Sequence, residues 1–335
     1  MKKFSVIIIL LFFACTKEID ITIPNSGSQL IVNGYIENGE PAKILLSRSL
    51  PYFDPLNFEN VLGSFVNDAV IKITSSDGEI EILTDSLFGL TDTWYYNYRG
   101  DTLLGKEGVS YTLEVTKGDT LLSATTTIPK IAKITRDSLR FLYRVDDSSY
   151  CYLLGHLKDP DEFGNCYRIF SKTNSVWGSS FDTQPEDEYD DFYISMLEQD
   201  GNFTDEYLNG ESFSFPTYKG RGFWQDWGQQ QEISEEEEVD GSSGATTGFW
   251  NVGDEVILKW SSVDRSSWDF WYSLGFNNPA GPFGAPSDAK SNINGGLGVF
   301  GGTSSQKIKL IADPEAVDPI IDSLYEDSVF EHFIN

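Results

Sequence analysis

Short apolar runs separated by turn residues dominate the chain. Leu30–Ile36 and Ala42–Leu46 flank Glu37-Asn38-Gly39-Glu40-Pro41 and predict a first strand pair. Residues 52–63 read as a loop. Ala69–Thr74 and Glu79–Leu83 flank Ser75-Ser76-Asp77-Gly78. In the second arm Ile80 and Ile82 alternate with Glu79 and Glu81, the period of a half-buried strand. Tyr111–Thr116 and Thr120–Ile128 flank Lys117-Gly118-Asp119 and predict a second hairpin. Strands and turns at this spacing predict an immunoglobulin-like or transthyretin-like β-sandwich over 29–130, closed by Pro129.

The pattern then changes. Ile134–Arg144, Tyr150–Leu157, Cys166–Ser171, Glu255–Ser261 and Gln306–Ile311 are strand-like. Residues 182–193 and 234–245 are acidic or Ser/Glu/Gly-rich and read as surface loops. Asp264–Phe276 is the main predicted helix. Asp264 caps it, and Trp268, Trp271 and Tyr272 share one face at i, i+3, i+4 spacing. Pro/Gly loops are expected over 278–302. The fold class is therefore mainly β: a sandwich, then a second β-rich domain (131–312) with one main helix and long loops. A 313–335 tail is acidic with helix-like spacing.

Before the first strand, Lys2 and Lys3 precede a ten-residue run, Phe4–Phe13, in which only Ser5 is polar. That is too short for a transmembrane helix, which needs about 20 apolar residues, and it predicts a secretory signal over 1–14. Phe12-Phe13-Ala14-Cys15 resembles a loose bacterial lipobox, so Cys15 is the expected lipidated residue and 15–28 the tether. Thr16-Lys17-Glu18-Ile19-Asp20 resembles the surface-export tag of Bacteroidetes lipoproteins. The expected address is the outer face of the outer membrane, lipid-anchored.

Charge narrows the partners. Across 335 residues, 24 basic face 52 acidic ones, net −28; loss of Lys2 and Lys3 leaves 22 against 52, or −30. A body this acidic repels nucleic acid. Cys151 and Cys166 lie on adjacent strand-like runs. In an oxidising compartment they either form a disulfide or are two small buried side chains. Asp159-Pro160-Asp161-Glu162-Phe163-Gly164-Asn165 has the oxygen density of a calcium loop in Asp159, Asp161 and Glu162. It lacks an oxygen ligand at Phe163 and the distal glutamate of an EF-hand, where Ser171 stands. The alternative is a solvated turn without cofactor.

The sequence shows no catalytic constellation. There are two histidines, His156 and His332, and no G-x-S-x-G. Gly296-Leu297-Gly298-Val299-Phe300-Gly301 satisfies G-x-G-x-x-G but lacks the strand before and the helix after that nucleotide binding requires. Its glycines are expected to permit positive φ and close packing against the aromatic helix. Trp224 and Trp227, among polar neighbours, are candidates for an exposed surface that stacks on sugars or peptides. Trp260, Trp268 and Trp271 are expected in the core.

Several runs are similar to one known family. Ser291-Asn292-Ile293-Asn294-Gly295-Gly296-Leu297-Gly298-Val299-Phe300-Gly301 resembles the closing motif of a Bacteroidetes lipoprotein family catalogued as domain of unknown function 4249. Leu30–Ile36, Asp137-Ser138-Leu139, Asn165-Cys166-Tyr167-Arg168, Gly253-Asp254-Glu255-Val256 and Pro282-Phe283 follow its order, over about 15–302. Cys166 stands where an aromatic is usual. The resemblance implies a surface lipoprotein often encoded beside TonB-dependent transporters, and no established activity. A non-enzymatic accessory to such a transporter is the leading expectation. A free-standing adhesin or glycan-binding module, and a hydrolase, are the alternatives.

Overall fold

The computed structural model describes residues 28–50, 57–85, 96–135, 138–174, 194–195, 202–219, 248–276, 289–316 and 320–322. In chain order the first part holds β1 (Leu30–Glu37), β2 (Pro41–Arg48), α1 (Phe58–Gly63), β3 (Val70–Ser75), β4 (Ile80–Ile82), β5 (Thr84–Asp85), β6 (Tyr98–Leu104), β7 (Ser110–Lys117) and β8 (Thr120–Thr127). The second part holds β9 (Leu139–Tyr143), β10 (Tyr150–Lys158), β11 (Cys166–Asn174), β12 (Ile194–Ser195), β13 (Asn202–Thr204), β14 (Ser212–Thr217), β15 (Trp250–Asn251) and β16 (Glu255–Val263). It ends with α2 (Arg265–Phe276), β17 (Leu297–Ile311) and β18 (Ile320–Asp322). The mainly β class holds, and all three predicted hairpin and strand pairs form.

The predicted boundary near 130 separates two cores but not two sheets. One ten-stranded sheet runs β12-β11-β16-β17-β1-β2-β6-β5, with β13 added on β11 and β18 on β17, and crosses it. The junction is β17. Its first half, Leu297–Thr303, pairs in parallel with β1. Its second half, Thr303–Ile311, pairs antiparallel with β16. A small sheet, β4-β3-β7-β8, covers the first end of the long sheet. Val32, Ile36, Ile44, Leu46 and Phe300 pack there against Ile71, Ile73, Leu113 and Val115. A second small sheet, built on β10 with β14, β9 and β15, covers the other end. Leu139, Phe141 and Leu153 meet Ile169, Leu258, Trp260, Ile308 and Leu310 there. Phe300, Ile308 and Leu310 are even-numbered positions of one strand, so both small sheets lie on the same face of the long sheet. Each end is thus a sandwich, and the two sandwiches share a wall.

The linker crosses that face between them, tied down by side chains. Ser304 donates to the Pro129 carbonyl at 2.6 Å, Trp260 to that of Ala132 at 2.7 Å, and the Gln306 carboxamide bonds Ile134 at both N–H and C=O. Without such partners the linker's backbone polar groups would be buried unpaired.

The closing motif explains how one strand serves both ends. Gly298 has φ +105°, and a Cβ there would overlap the Val32 carbonyl oxygen across the parallel ladder. Gly301 lies under α2, where a Cβ would overlap Ser267 Oγ. The glycines thus serve positive φ and contact with the helix, as expected, but they open a strand rather than a loop. β16 stops opposite Thr303, so the facing edge of Leu297–Gly302 needs other partners. Asn292 supplies one pair: its Oδ1 accepts from Phe300 N–H at 3.0 Å and its Nδ2 donates to Phe300 O at 2.8 Å. Asp264 supplies the next, accepting from Gly302 N–H at 3.0 Å. Asp264 also caps α2 through Ser267 N–H at 2.9 Å and accepts from the Thr126 hydroxyl in β8 at 2.9 Å.

Four details correct the sequence reading. The run 52–63 ends in α1, capped by Asn57 on Asn60 N–H. Ile80 and Ile82 point outward, 64% and 63% exposed, while Glu81 turns inward; its carboxylate accepts from Asp101, Thr102 and Leu103 N–H groups. On α2 the Trp268–Tyr272 stack, 4.4 Å between ring centres, is only part-buried, and Ser267, Phe270 and Ser273 are the buried positions. Small serines let helix and sheet approach closely. Finally, Ile320–Asp322 of the expected helical tail forms β18 on β17.

On the other face of the long sheet, where β1, β2, β16 and β17 meet, the odd-numbered Glu37, Lys43, Lys259 and Lys307 form a buried ionic cluster with Glu40 of the β1–β2 turn. Lys259 Nζ lies 2.6 Å from Glu37 Oε2, Lys43 Nζ 3.1 Å from Glu40 Oε2, and Lys307 Nζ 3.8 Å from Glu40 Oε1. Burial alone raises the Glu37 pKa. Lys259, Lys307 and hydrogen bonds from Lys259 and Ser305 outweigh it and hold the carboxyl below its ordinary value.

Candidate binding groove

The second small sheet has a packed inner face and a grooved outer one. Alternation along β10 sends Cys151, Leu153 and Leu157 inward and Leu154 and His156 outward. Gly155 leaves room for the ring of Phe215 in β14, which a Cβ would overlap. Phe215 stacks on Trp260 at 5.6 Å, and Trp260 on Tyr167 at 5.2 Å. Phe203 and Phe213 complete a tightly packed aromatic floor. The strands above it are therefore held in fixed register.

That register assembles the outer face. Arg140 of β9 and Pro216 of β14 lie opposite Leu154, and Ser214 lies opposite His156. Ser138, just before β9, joins Arg140, Leu154, His156 and Ser214 around a groove of about 230 Å³. His156 Nδ1 and Ser214 Oγ are 3.0 Å apart, and Ser138 Oγ is 2.8 Å from Thr135 Oγ1. Among the described residues Arg140 has no carboxylate partner, and His156 none on its other nitrogen. The half-buried Arg144 and the exposed Arg265 do: Asp146 at 2.5 Å and Asp269 at 3.0 Å. The groove thus offers a planar guanidinium, an imidazole, two hydroxyls and an apolar Leu154. It suits recognition of a small polar molecule. The His–Ser pair lacks the orienting acid of a triad among the described residues.

The residues singled out from sequence fall elsewhere. Cys15, Trp224 and Trp227 lie outside the described residues. The disulfide does not form: Cys151 and Cys166 are both free and buried. Cys151 opens β10 and Cys166 opens β11, in different sheets at opposite ends of an antiparallel return. Seven residues of β10 beyond Cys151 span roughly 23 Å, far past the reach of a disulfide. Burial pushes both thiols up to about 12; neighbouring Asp254 adds to it at Cys151, and Arg265 opposes it at Cys166. The Asp159–Asn165 turn is neither a cage nor solvated at its first position. Asp159 is buried and accepts from the Tyr167 hydroxyl at 2.5 Å and Gly210 N–H at 3.1 Å. Asp161 and Glu162 are exposed. Inside the turn it is Asp205 that accepts from Gly164 and Asn165 N–H, at 2.7 and 2.9 Å. No cluster of three metal-ligating side chains occurs among the described residues.

Sequence reading passed over Arg140, Ser138 and Ser214. Each is an ordinary outward residue of a strand or its flank, and only the pairing register joins them. The one available signal was an arginine on an alternating strand of so acidic a chain.

No described helix is long and apolar enough to cross a membrane. No curated protein and no solved structure matches the chain. A family model, Domain of unknown function (DUF4249), matches residues 16–309, which span both sandwiches and end inside the shared strand β17. The chain therefore belongs to the DUF4249 family.

Proposed function

We propose that this is a surface-exposed outer-membrane lipoprotein, acylated at Cys15, that captures a small ligand without transforming it and serves a neighbouring TonB-dependent barrel. The groove carries this reading: polar groups with unused hydrogen-bonding capacity converge around Leu154 on the outer face of a sheet whose inner face is held by a packed aromatic cluster, the arrangement of a recognition site. The Lys2–Cys15 run supports the anchor. Ser28 and Gln29 bind Ser49 in the first sandwich, 13 residues after Cys15, so a tether of at most about 45 Å separates lipid from body. The groove lies on the second sandwich. The acidic surface favours a protein partner or a small solute over nucleic acid.

The test is affinity recovery from intact outer membranes, with mass spectrometry of the mature amino terminus and protease shaving of whole cells. An acylated Cys15, a body cleaved from living cells and a co-purifying barrel are expected. An unacylated Cys15, a protected body, or recovery without any barrel would overturn the corresponding part.

A further inference from the structure

We infer that the groove selects a carboxylate on a small organic molecule, with Arg140 as the recognising group; this rests on the binding role just proposed. Three observations lead there. First, Arg140 is the one cation lining the groove, and like Arg48 and Arg99 it has no carboxylate partner among the described residues, whereas Arg144 and Arg265 each pair with one. A guanidinium offers a planar fork that matches a carboxylate at two points. Second, the lining fits such a molecule beyond its charge. Leu154 lies opposite Arg140 across the β9–β10 ladder, about 5 Å away at Cβ, and presents an apolar surface beside the fork. His156 and Ser214, two residues further along, offer an imidazole nitrogen and a hydroxyl. A ligand with its carboxylate on Arg140, a short apolar body over Leu154 and a polar tail at His156 and Ser214 uses every lining group but Ser138. Third, about 230 Å³ is below the roughly 300–1,000 Å³ of drug-sized sites, which limits the ligand to amino-acid or monosaccharide size. The net charge of −28 sets an upper bound on ligand charge, since the surrounding field disfavours polyanions. A single carboxylate in local contact with Arg140 escapes most of that penalty.

The carboxylate has two chemical sources, a peptide-like amino acid or an acidic sugar. Isothermal titration of the purified full chain against N-acetyl-L-leucine, N-acetyl-L-leucinamide, glucuronate and glucose separates them. At least one acid is expected to bind tenfold or more tightly than its neutral counterpart; which acid does so identifies the source. Arg140→Gln should abolish the preference, and Arg140→Lys should restore part of it, since charge returns without the fork. Arg140 is exposed, so circular dichroism should show both variants folded. Equal binding of acid and neutral probe, or a preference that survives Arg140→Gln, overturns the inference. If the neutral probes bind and Ser214→Trp blocks them, the groove remains a capture site and only the ligand class falls. If none of the four binds, the inference falls while recovery of the barrel, measured separately, still decides the accessory role.

Discussion

Replacing Lys259 with methionine isolates the ionic contact between the two ends of the molecule. Glu37 ends β1, which pairs with β17's first half, and Lys259 lies on β16, which pairs with its second half. Their charged atoms are 2.6 Å apart, with side chains only 5% and 14% exposed. Methionine keeps the apolar stem and deletes the ammonium, leaving Glu37 buried with Lys307 as its remaining nearby cation. Breaking a buried pair from one side costs about 3–5 kcal/mol. That is a large part of the roughly 5–15 kcal/mol that holds a typical fold, and it lowers the melting temperature by roughly 6–20 °C. Glu37→Gln combined with Lys259→Met removes both charges. The double variant should be more stable than the sum of the single losses, by at least about 1 kcal/mol in a double-mutant cycle. Acid provides a second readout. The Glu37 pKa is lowered in the folded state, so its stabilisation is present above the ordinary value of 4.5 and is lost as pH falls through the folded value. The wild-type advantage over Glu37→Gln should therefore shrink below pH 4.5. A Lys259→Met variant within about 1 kcal/mol of wild type by urea unfolding, or an advantage independent of pH, would refute the reasoning.

Gly298→Ala places a Cβ against the Val32 carbonyl at φ +105° and should cost at least about 2 kcal/mol; a melting temperature unchanged from wild type would count against the parallel pairing of β1 and β17. Asp264→Ala removes the α2 cap and strands Gly302 N–H, a loss of about 2–4 kcal/mol by urea unfolding, with Asp264→Asn intermediate. Iodoacetamide at pH 8 should leave Cys151 and Cys166 unmodified in a peptide map of the native protein and label both in guanidinium, because burial and a pKa of about 12 deny them thiolate; a linked peptide pair would contradict the free thiols. Glu81→Gln weakens the acceptor for the Asp101, Thr102 and Leu103 N–H groups. Burial raises the Glu81 pKa, but these donors outweigh it and hold it low, so the difference from wild type should fade as pH drops below 4.5.

Local chemistry was legible in the sequence. Gly39 and Gly78, at φ +81° and +90°, turn the first two hairpins where the turn residues cluster, and Asp264 caps its helix as its position suggested. Long-range chemistry was not. Alternation cannot say which phase faces the core, so the pattern at 79–82 leaves open that Glu81 turns inward and Ile80 outward; the donors that draw Glu81 inward come 20 residues later. The boundary near 130 marks a change of core, but Pro129 gives no hint that β17 returns to complete the first sandwich. The closing motif was visible as a pattern, but the pairing of its Asn292 with Phe300 and of its glycines with β1 was not. The groove was hidden for the same reason as the shared wall, since each depends on register between distant strands.

The late arrival of β17 has a consequence for biogenesis. Ile31 pairs with Leu297, 266 positions downstream. At roughly 5–20 residues per second, synthesis leaves the first strand waiting about 13–53 s for its neighbour. Its apolar edge stays open throughout, a state prone to aggregation that favours a holding chaperone. A nascent chain stopped at residue 296 should leave its first strand protease-sensitive, and addition of the residues beyond 296 should protect the strands of both sandwiches in one step.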